Sequence, residues 1–206
     1  MNHSAGRVMT AVLFAVSIIL DLTVVGSVVT EANAQPAIVI PYGATEYKYL
    51  VVLHGEGLGF EQPDFDDWAF NPGDAGFGTP GGFCELNNPD DVKTLWDLGT
   101  DILVRKEFDL PPGATDLVVS VAVDNDVHVF INGDDISDGI QPHEECPTRD
   151  SFSFAVPARL LRVGTNLLAV RGRDRGVLSY LDIQVTAEIP TIRGQSPAKA
   201  GVVREH

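Results

Sequence analysis

The sequence predicts an all-β protein, a sandwich of about eight antiparallel strands behind a signal peptide. Three observations carry that prediction. Short segments alternate apolar and polar residues with the period of a half-buried strand. Turn residues punctuate them, among the 20 glycines and 13 prolines of the 206-residue chain. No amphipathic helix longer than two turns is legible.

The N-terminus comes first. Arg7 supplies a short positive region, an apolar run follows over 8–20 and resumes over 22–29, and Ala32-Asn33-Ala34 closes it with small residues at the positions a signal peptidase reads. Cleavage is expected after Ala34, which gives a signal peptide over 1–34, a sandwich over 35–188 and a flexible tail over 189–206. An uncleaved anchor is the alternative, because the full run is long enough to span a bilayer. Asp21, inside the run, is a charge that both readings must tolerate. No cysteine lies near the cleavage site, so lipid attachment there is excluded. The expected location is secreted or extracytoplasmic, without membrane attachment after cleavage.

The strands follow in order. Residues 48–53 (KYLVVL) form the first clear one, and a long loop over 54–99, rich in Gly, Pro, Asp and aromatics, separates it from the next. Residues 102–110 (ILVRKEFDL) place Ile102, Val104 and Phe108 on one face; Lys106 interrupts that face, so it snorkels or the strand is an edge. Pro111-Pro112-Gly113 ends the strand. Residues 116–123 (DLVVSVAV) put Leu117, Val119, Val121 and Val123 inward. Asp124-Asn125-Asp126 then makes a tight turn into a return strand over 127–132, with Val127, Val129 and Ile131 inward. Asn132-Gly133 is a short-turn signal. After an irregular stretch over 134–150 come 151–156 (SFSFAV), a short segment over 157–163, a turn at Gly164-Thr165-Asn166, and strands over 167–173 and 177–187. An eight-stranded jelly roll suits this count because it closes most of its edges.

Charge narrows the partners. The formal net charge is −15 and the pI about 4.5, so the chain repels phosphate backbones and anionic bilayers; nucleic acid is not an expected partner. Cys84 and Cys146 are the only cysteines. In an oxidising compartment they are expected to pair and tie two long loops together. A metal pair or a free thiol is the alternative, although two cysteines without clustered histidines make a poor zinc site.

The stretch from Ile102 to Val185 carries a recognisable pattern. Arg105, Lys106, Phe108, Leu110 and Pro111 form "R-K-x-F-x-L-P". Val129, Ile131, Asn132 and Gly133 end a strand, and Gly164, Asn166, Leu168, Ala169, Val170 and Arg171 form "G-x-N-x-L-A-V-R". Upstream stands Phe65-Asp66-Asp67-Trp68. Together these resemble the galactose-binding-domain-like jelly rolls, including the sugar-binding domain at the N-terminus of family 2 glycoside hydrolases. The backbone explains the motif: Asn-Gly turns, Gly-x-Asn launches a strand, and alternating apolar residues fill a core. The resemblance therefore implies a fold more than a ligand.

It implies a non-catalytic binding module for a glycan or cell-surface polymer. The alternative is an extracellular structural or adhesion protein that uses the sandwich for protein contacts. The resemblance also admits a structural calcium ion on Asp64, Asp66 and Asp67, against a reading of those acids as turn formers. The loops offer the aromatics Trp68, Phe70, Phe77, Phe83 and Trp96, with the amides Asn87 and Asn88 near them. Trp96 is the first candidate platform, because polar residues surround it, and Trp68 is the second. Arg171, Arg173 and Arg175 alternate at a strand end; Arg173 is a candidate anion or carboxylate ligand, and an internal salt-bridge network is the competing reading. No nucleophile elbow, paired-histidine zinc motif, phosphate loop or EF-hand is present. The acidic pairs Asp66/Asp67, Asp90/Asp91, Asp134/Asp135 and Glu144/Glu145 single out no glycosidase dyad.

Overall fold

The computed structural model describes residues 33–191. The predicted signal peptide lies outside the described residues apart from Asn33 and Ala34, and so does most of the predicted tail. Twelve strands are described: β1 (Asn33–Ile40), β2 (Tyr47–Val52), β3 (Asn71–Gly73), β4 (Phe77–Gly78), β5 (Thr94–Leu95), β6 (Asp101–Leu110), β7 (Thr115–Asp124), β8 (Asp126–Ile131), β9 (Asp134–Asp135), β10 (Phe152–Ala155), β11 (Gly164–Arg173) and β12 (Tyr180–Thr191). They form two sheets. One runs β10-β7-β12-β4-β5, with β1 also paired to β12; the other runs β3-β2-β6-β11-β8-β9. Pairing is antiparallel throughout except for β4 with β5.

The alternation places the core as expected. Ile102, Val104 and Phe108 of β6, Leu117, Val119, Val121 and Val123 of β7, and Val127, Val129 and Ile131 of β8 are buried between the sheets. Leu168 and Val170 of β11 and Leu181, Ile183 and Val185 of β12 join them. Lys106 shares the inward face of β6, and β6 is a central strand, so the edge explanation fails. The side chain snorkels instead: its Nζ donates to the Thr45 carbonyl at 2.7 Å and stands 5.0 Å from the centre of the Tyr47 ring.

Four elements differ from the sequence reading. The turn at Asn125 does not close a hairpin: β7 belongs to one sheet and β8 to the other, and the chain crosses the sandwich there. Two inward-facing runs separated by a tight turn look alike in sequence whether they pair or face each other across a core. Second, β1 was not expected, yet it pairs with β12 from Asn33↔Thr191 to Ile40↔Val185 and buries Ile40. β12 accordingly reaches Thr191, past the predicted end of the sandwich. Third, the segment over 157–163 is a 3₁₀ turn (Ala158–Leu160) that leans Leu160 and Leu161 on the core; Pro157 and the lack of alternation disfavour a strand there. Fourth, the long loop over 54–99 holds three short strands, β3 to β5, and the irregular stretch over 134–150 holds β9.

The family-like asparagines have a structural task. Asn132, with φ 53°, turns the chain beside Gly133. Its Nδ2 donates to Asn166 Oδ1 at 2.9 Å, and its Oδ1 accepts from Leu167 N–H at 2.9 Å. Asn166 in turn bonds Arg162 and Gly164. The two side chains lock β8 to β11 and are both buried.

Candidate functional site

The outer face of the β2-β6-β11 sheet is covered by the segment 54–70, and two buried arginines hold it there. Arg105 of β6 donates Nε to Asp67 at 3.1 Å and Nη1 to the Gln62 carbonyl at 3.0 Å, with a further bond to the Phe60 carbonyl. Arg171 of β11 donates to Asp101 at 2.7 Å and to the Glu56 carbonyl at 2.8 Å. Beneath them a small apolar cluster forms from Phe60, Leu103 and Ala169, with Phe65, Phe70 and Phe130 against it. Phe65 and Phe70 meet edge to face at 6.0 Å.

Trp68 is treated differently. Its N–H bonds Asp66 Oδ1 at 3.3 Å in a side-chain turn, and its indole is 83% exposed. The preceding residue, Asp67, lines a groove of about 270 Å³ with Glu46, Lys48, Arg105, Lys106, Glu107 and Leu167. Asp67 accepts from Lys48 at 2.7 Å as well as from Arg105. Burial works to raise the Asp67 carboxyl, but the bonds from Lys48 and Arg105 outweigh it and hold it below the ordinary range. The groove therefore presents fixed charges of both signs, and the exposed Trp68 follows one of its lining residues, Asp67, in the chain without itself lining it.

The other predicted residues lie elsewhere. Trp96, the first candidate platform, is 1% exposed and sits in the core with its Nε1 on Thr100 Oγ1 at 3.1 Å, so it has no face to give a ligand. Large aromatics more often fill cores than serve as platforms, and the polar neighbours of Trp96 in sequence misdirect the eye. Asn87 is also buried; its Nδ2 bonds the carbonyls of Thr79 and Ser179 at 3.0 and 2.9 Å. Asn88 organises its own turn by accepting from the N–H groups of Asp90 and Asp91. Arg173 is an internal partner rather than a ligand: with Arg171 it grips the fully buried Asp101, donating Nε at 2.8 Å and Nη2 at 3.0 Å.

The calcium expectation does not fit. Asp67 is committed to two cationic side chains, Asp66 Oδ1 caps Trp68, and Asp64 stands exposed. Among the described residues no group of three or more His, Cys, Asp or Glu side chains is arranged to hold a metal ion.

Cys84 and Cys146 form the disulfide, 5.4 Å apart at Cα and 62 residues apart in sequence. The bond joins the two irregular segments and fits an oxidising compartment. Among the described residues no helix is long and apolar enough to cross a membrane.

Sequence reading missed the groove beside Asp67, because Glu46 and Lys48 at the start of β2 and Glu107 of β6 reach it from segments distant in sequence. It also passed over Asp124, whose carboxyl is pushed up to about 6, first by burial and then by the charge of Asp174.

Comparison with protein-family models finds no match, and comparison with curated proteins finds none either. Among solved structures, the chain is similar to a calcium-binding mutant of beta-glucuronidase 2 from Bacteroides uniformis, with a TM-score of 0.50, 17% identity, and coverage of 75% of this chain and 18% of that one. A beta-glucuronidase from Bacteroides uniformis matches with the same TM-score, identity and coverage. A third, described as a beta-glucuronidase from glycoside hydrolase family 2, has a TM-score of 0.46 at 16% identity and covers 77% of this chain and 18% of that one. At such identity the likeness is one of fold: the sandwich corresponds to a segment of the two Bacteroides uniformis beta-glucuronidases and spans less than a fifth of their length.

Proposed function

We propose that this chain is an exported, non-catalytic binding module of the galactose-binding jelly-roll kind, and that it holds a glycan or cell-surface polymer at the Trp68 groove. The observation that carries the reading is the exposed Trp68, 83% accessible, one residue along the chain from Asp67, whose charge is paired with Lys48 and Arg105 in the groove. A sugar ring offers an apolar C–H face for stacking and hydroxyls for charge-assisted hydrogen bonds, which is the combination such a groove satisfies. A glycosidase needs one carboxyl kept protonated near neutral pH beside an ionised one, and Asp67, held down by Lys48 and Arg105, does not supply the protonated member. The disulfide supports export.

The test is a glycan-array screen of the protein with and without calcium, repeated with Trp68→Ala. A specific glycan is expected to bind and to lose at least ~10-fold in affinity, about 1.4 kcal/mol, in Trp68→Ala. Thermal unfolding should be unchanged, because the side chain is exposed. A blank array, or equal binding by both proteins, would overturn the reading in favour of a structural or protein-binding role.

A further inference from the structure

A second cleft, of about 320 Å³, opens at the end of the sandwich where the chain crosses from β7 to β8. The fold brings three distant stretches together there: the Asp124-Asn125 corner, the segment over 175–178 between β11 and β12, and Phe83-Cys84 with 144–146, joined by the disulfide. Nothing in the Trp68 groove contributes to it.

Asp124 is the informative residue. Its side chain lines the cleft, is only 7% exposed, and accepts no hydrogen bond from any described residue. On a residue buried to this degree, a carboxylate that gains no donor, its oxygens reaching solvent only through the cleft, is uncommon in a native fold. Its surroundings add to the misfit. Asp174, fully buried, bonds the Gly99 and Gly176 N–H groups through Oδ2, while its Oδ1 has no partner. Arg175, the one cationic side chain among the described residues that line the cleft, is committed to Glu144 at 2.7 Å, Asp126 at 3.0 Å and the His143 carbonyl at 3.1 Å. Glu145 also lines the cleft and makes no ion pair among the described residues. Negative charge is thus left over. Beside it stand two apolar side chains, Phe83 at 82% and Val177 at 71% exposure.

An unpaired buried carboxylate beside an open aromatic ring asks for a cation carried on an apolar body. A neutral sugar would supply donors but leave the charge unmatched. A metal ion is disfavoured, since the described acidic side chains form no metal-holding group. The cleft has small-ligand size and lacks the broad flat area of a protein interface. We propose that it is a second binding site, for an amino sugar, with the ammonium group on Asp124 and a C–H face of the ring on Phe83.

The probe is a β-1,4-linked glucosamine trimer, titrated calorimetrically into the full-length protein at pH 7 beside its N-acetylated counterpart and a trilysine peptide. The glucosamine trimer is expected to bind. The acetylated trimer, which keeps the ring faces and linkages but carries acetyl groups in place of the charges, should bind at least ~10-fold more weakly. Affinity should fall with added salt. Asp124→Asn should lose at least ~10-fold in affinity and Phe83→Ala about 3-fold or more, whereas Trp68→Ala should bind normally. Because Asp124→Asn removes a desolvated charge, its thermal stability should equal or exceed that of the parent, which separates lost binding from misfolding. Equal affinity for the two trimers, no binding of either, or an Asp124→Asn protein that binds normally would overturn the assignment. So would a trilysine peptide that binds as tightly as the glucosamine trimer, which would indicate a protein ligand. Loss of trimer binding in Trp68→Ala would overturn this site while leaving the Trp68 groove standing.

Discussion

Replacing Asp101 with asparagine keeps the side-chain shape and removes the charge on which the outer face of one sheet depends. Asp101 is fully buried and accepts four hydrogen bonds: from Arg171 Nη1 at 2.7 Å, Arg173 Nε at 2.8 Å, Arg173 Nη2 at 3.0 Å and Gly55 N–H at 2.9 Å. An asparagine must turn an NH₂ group toward at least one of these donors. The Arg171 side chain is 9% exposed and would keep its charge with no counter-ion, whereas Arg173, at 25%, can recover part of its hydration. Breaking one side of a buried ion pair costs about 3–5 kcal/mol, and the partial exposure of Arg173 points to the lower end. For a domain of this size, ~3 kcal/mol corresponds to a fall in Tm of roughly 6–12 °C. The pH dependence supplies a second signature. Burial works to raise the Asp101 carboxyl, but the bonds from Arg173, Gly55 and Arg171 outweigh it and hold it below the ordinary value. A carboxyl depressed in the fold contributes stability that is present above the unfolded pKa, about 3.9, and is lost as pH falls through the folded one. Urea denaturation should therefore show the full gap between parent and Asp101→Asn at pH 7, closing only in acid below the ordinary carboxylate range. Hydrogen exchange should quicken first at Gly55, whose N–H loses its acceptor. A variant within about 1 kcal/mol of the parent would refute the argument. So would a gap that persists unchanged in acid, or an Asp101→Asn/Arg171→Met protein no more stable than Asp101→Asn alone.

Two further outcomes follow from the same structure. The disulfide closes a 62-residue separation, so Cys84→Ser/Cys146→Ser should lose about 4 kcal/mol by urea denaturation; a loss under about 1 kcal/mol would mean that the loops it joins are held by other contacts. Asp182 is 4% exposed, and its carboxyl is raised to about 6, chiefly by burial. An acid raised in the fold stabilises fully below its unfolded pKa and loses that contribution as pH rises through about 6, a cost of roughly 3 kcal/mol once ionised. Asp182 Oδ1 accepts from the Gly43 and Ile183 N–H groups at 3.1 and 2.8 Å, and Oδ2 reaches only Gly43 again at 3.0 Å, so an asparagine oxygen in the Oδ1 position keeps both donors. The variant should gain about 1–3 kcal/mol at pH 8 and nothing at pH 4; equal effects at the two values would contradict the assignment.

The inward faces of the sandwich were legible in the sequence. Alternation over 102–108, 117–123 and 127–131 marks the core residues directly, because a strand exposes every second side chain to the same environment. The cysteine pairing was legible too, since only two cysteines are present. Asn132-Gly133 and Gly164-x-Asn166 announced their turns, and the structure adds that the two asparagines bond each other and the backbone around them.

The partner of each strand was not legible. β7 and β8 carry the same inward alternation whether they pair in one sheet or face each other across the core, and they do the latter. The fates of the tryptophans and acids were equally hidden. Trp68 and Trp96 lie in similar loop sequence, yet one is 83% exposed and the other 1%. Asp67, Asp101 and Asp124 are each an aspartate among turn or strand residues, yet two are gripped by arginines and the third faces a cleft without a donor. Local sequence sets which way a side chain points from its own strand. Whether it then meets solvent, a guanidinium or an empty cleft depends on segments far along the chain, and only the tertiary structure brings those together.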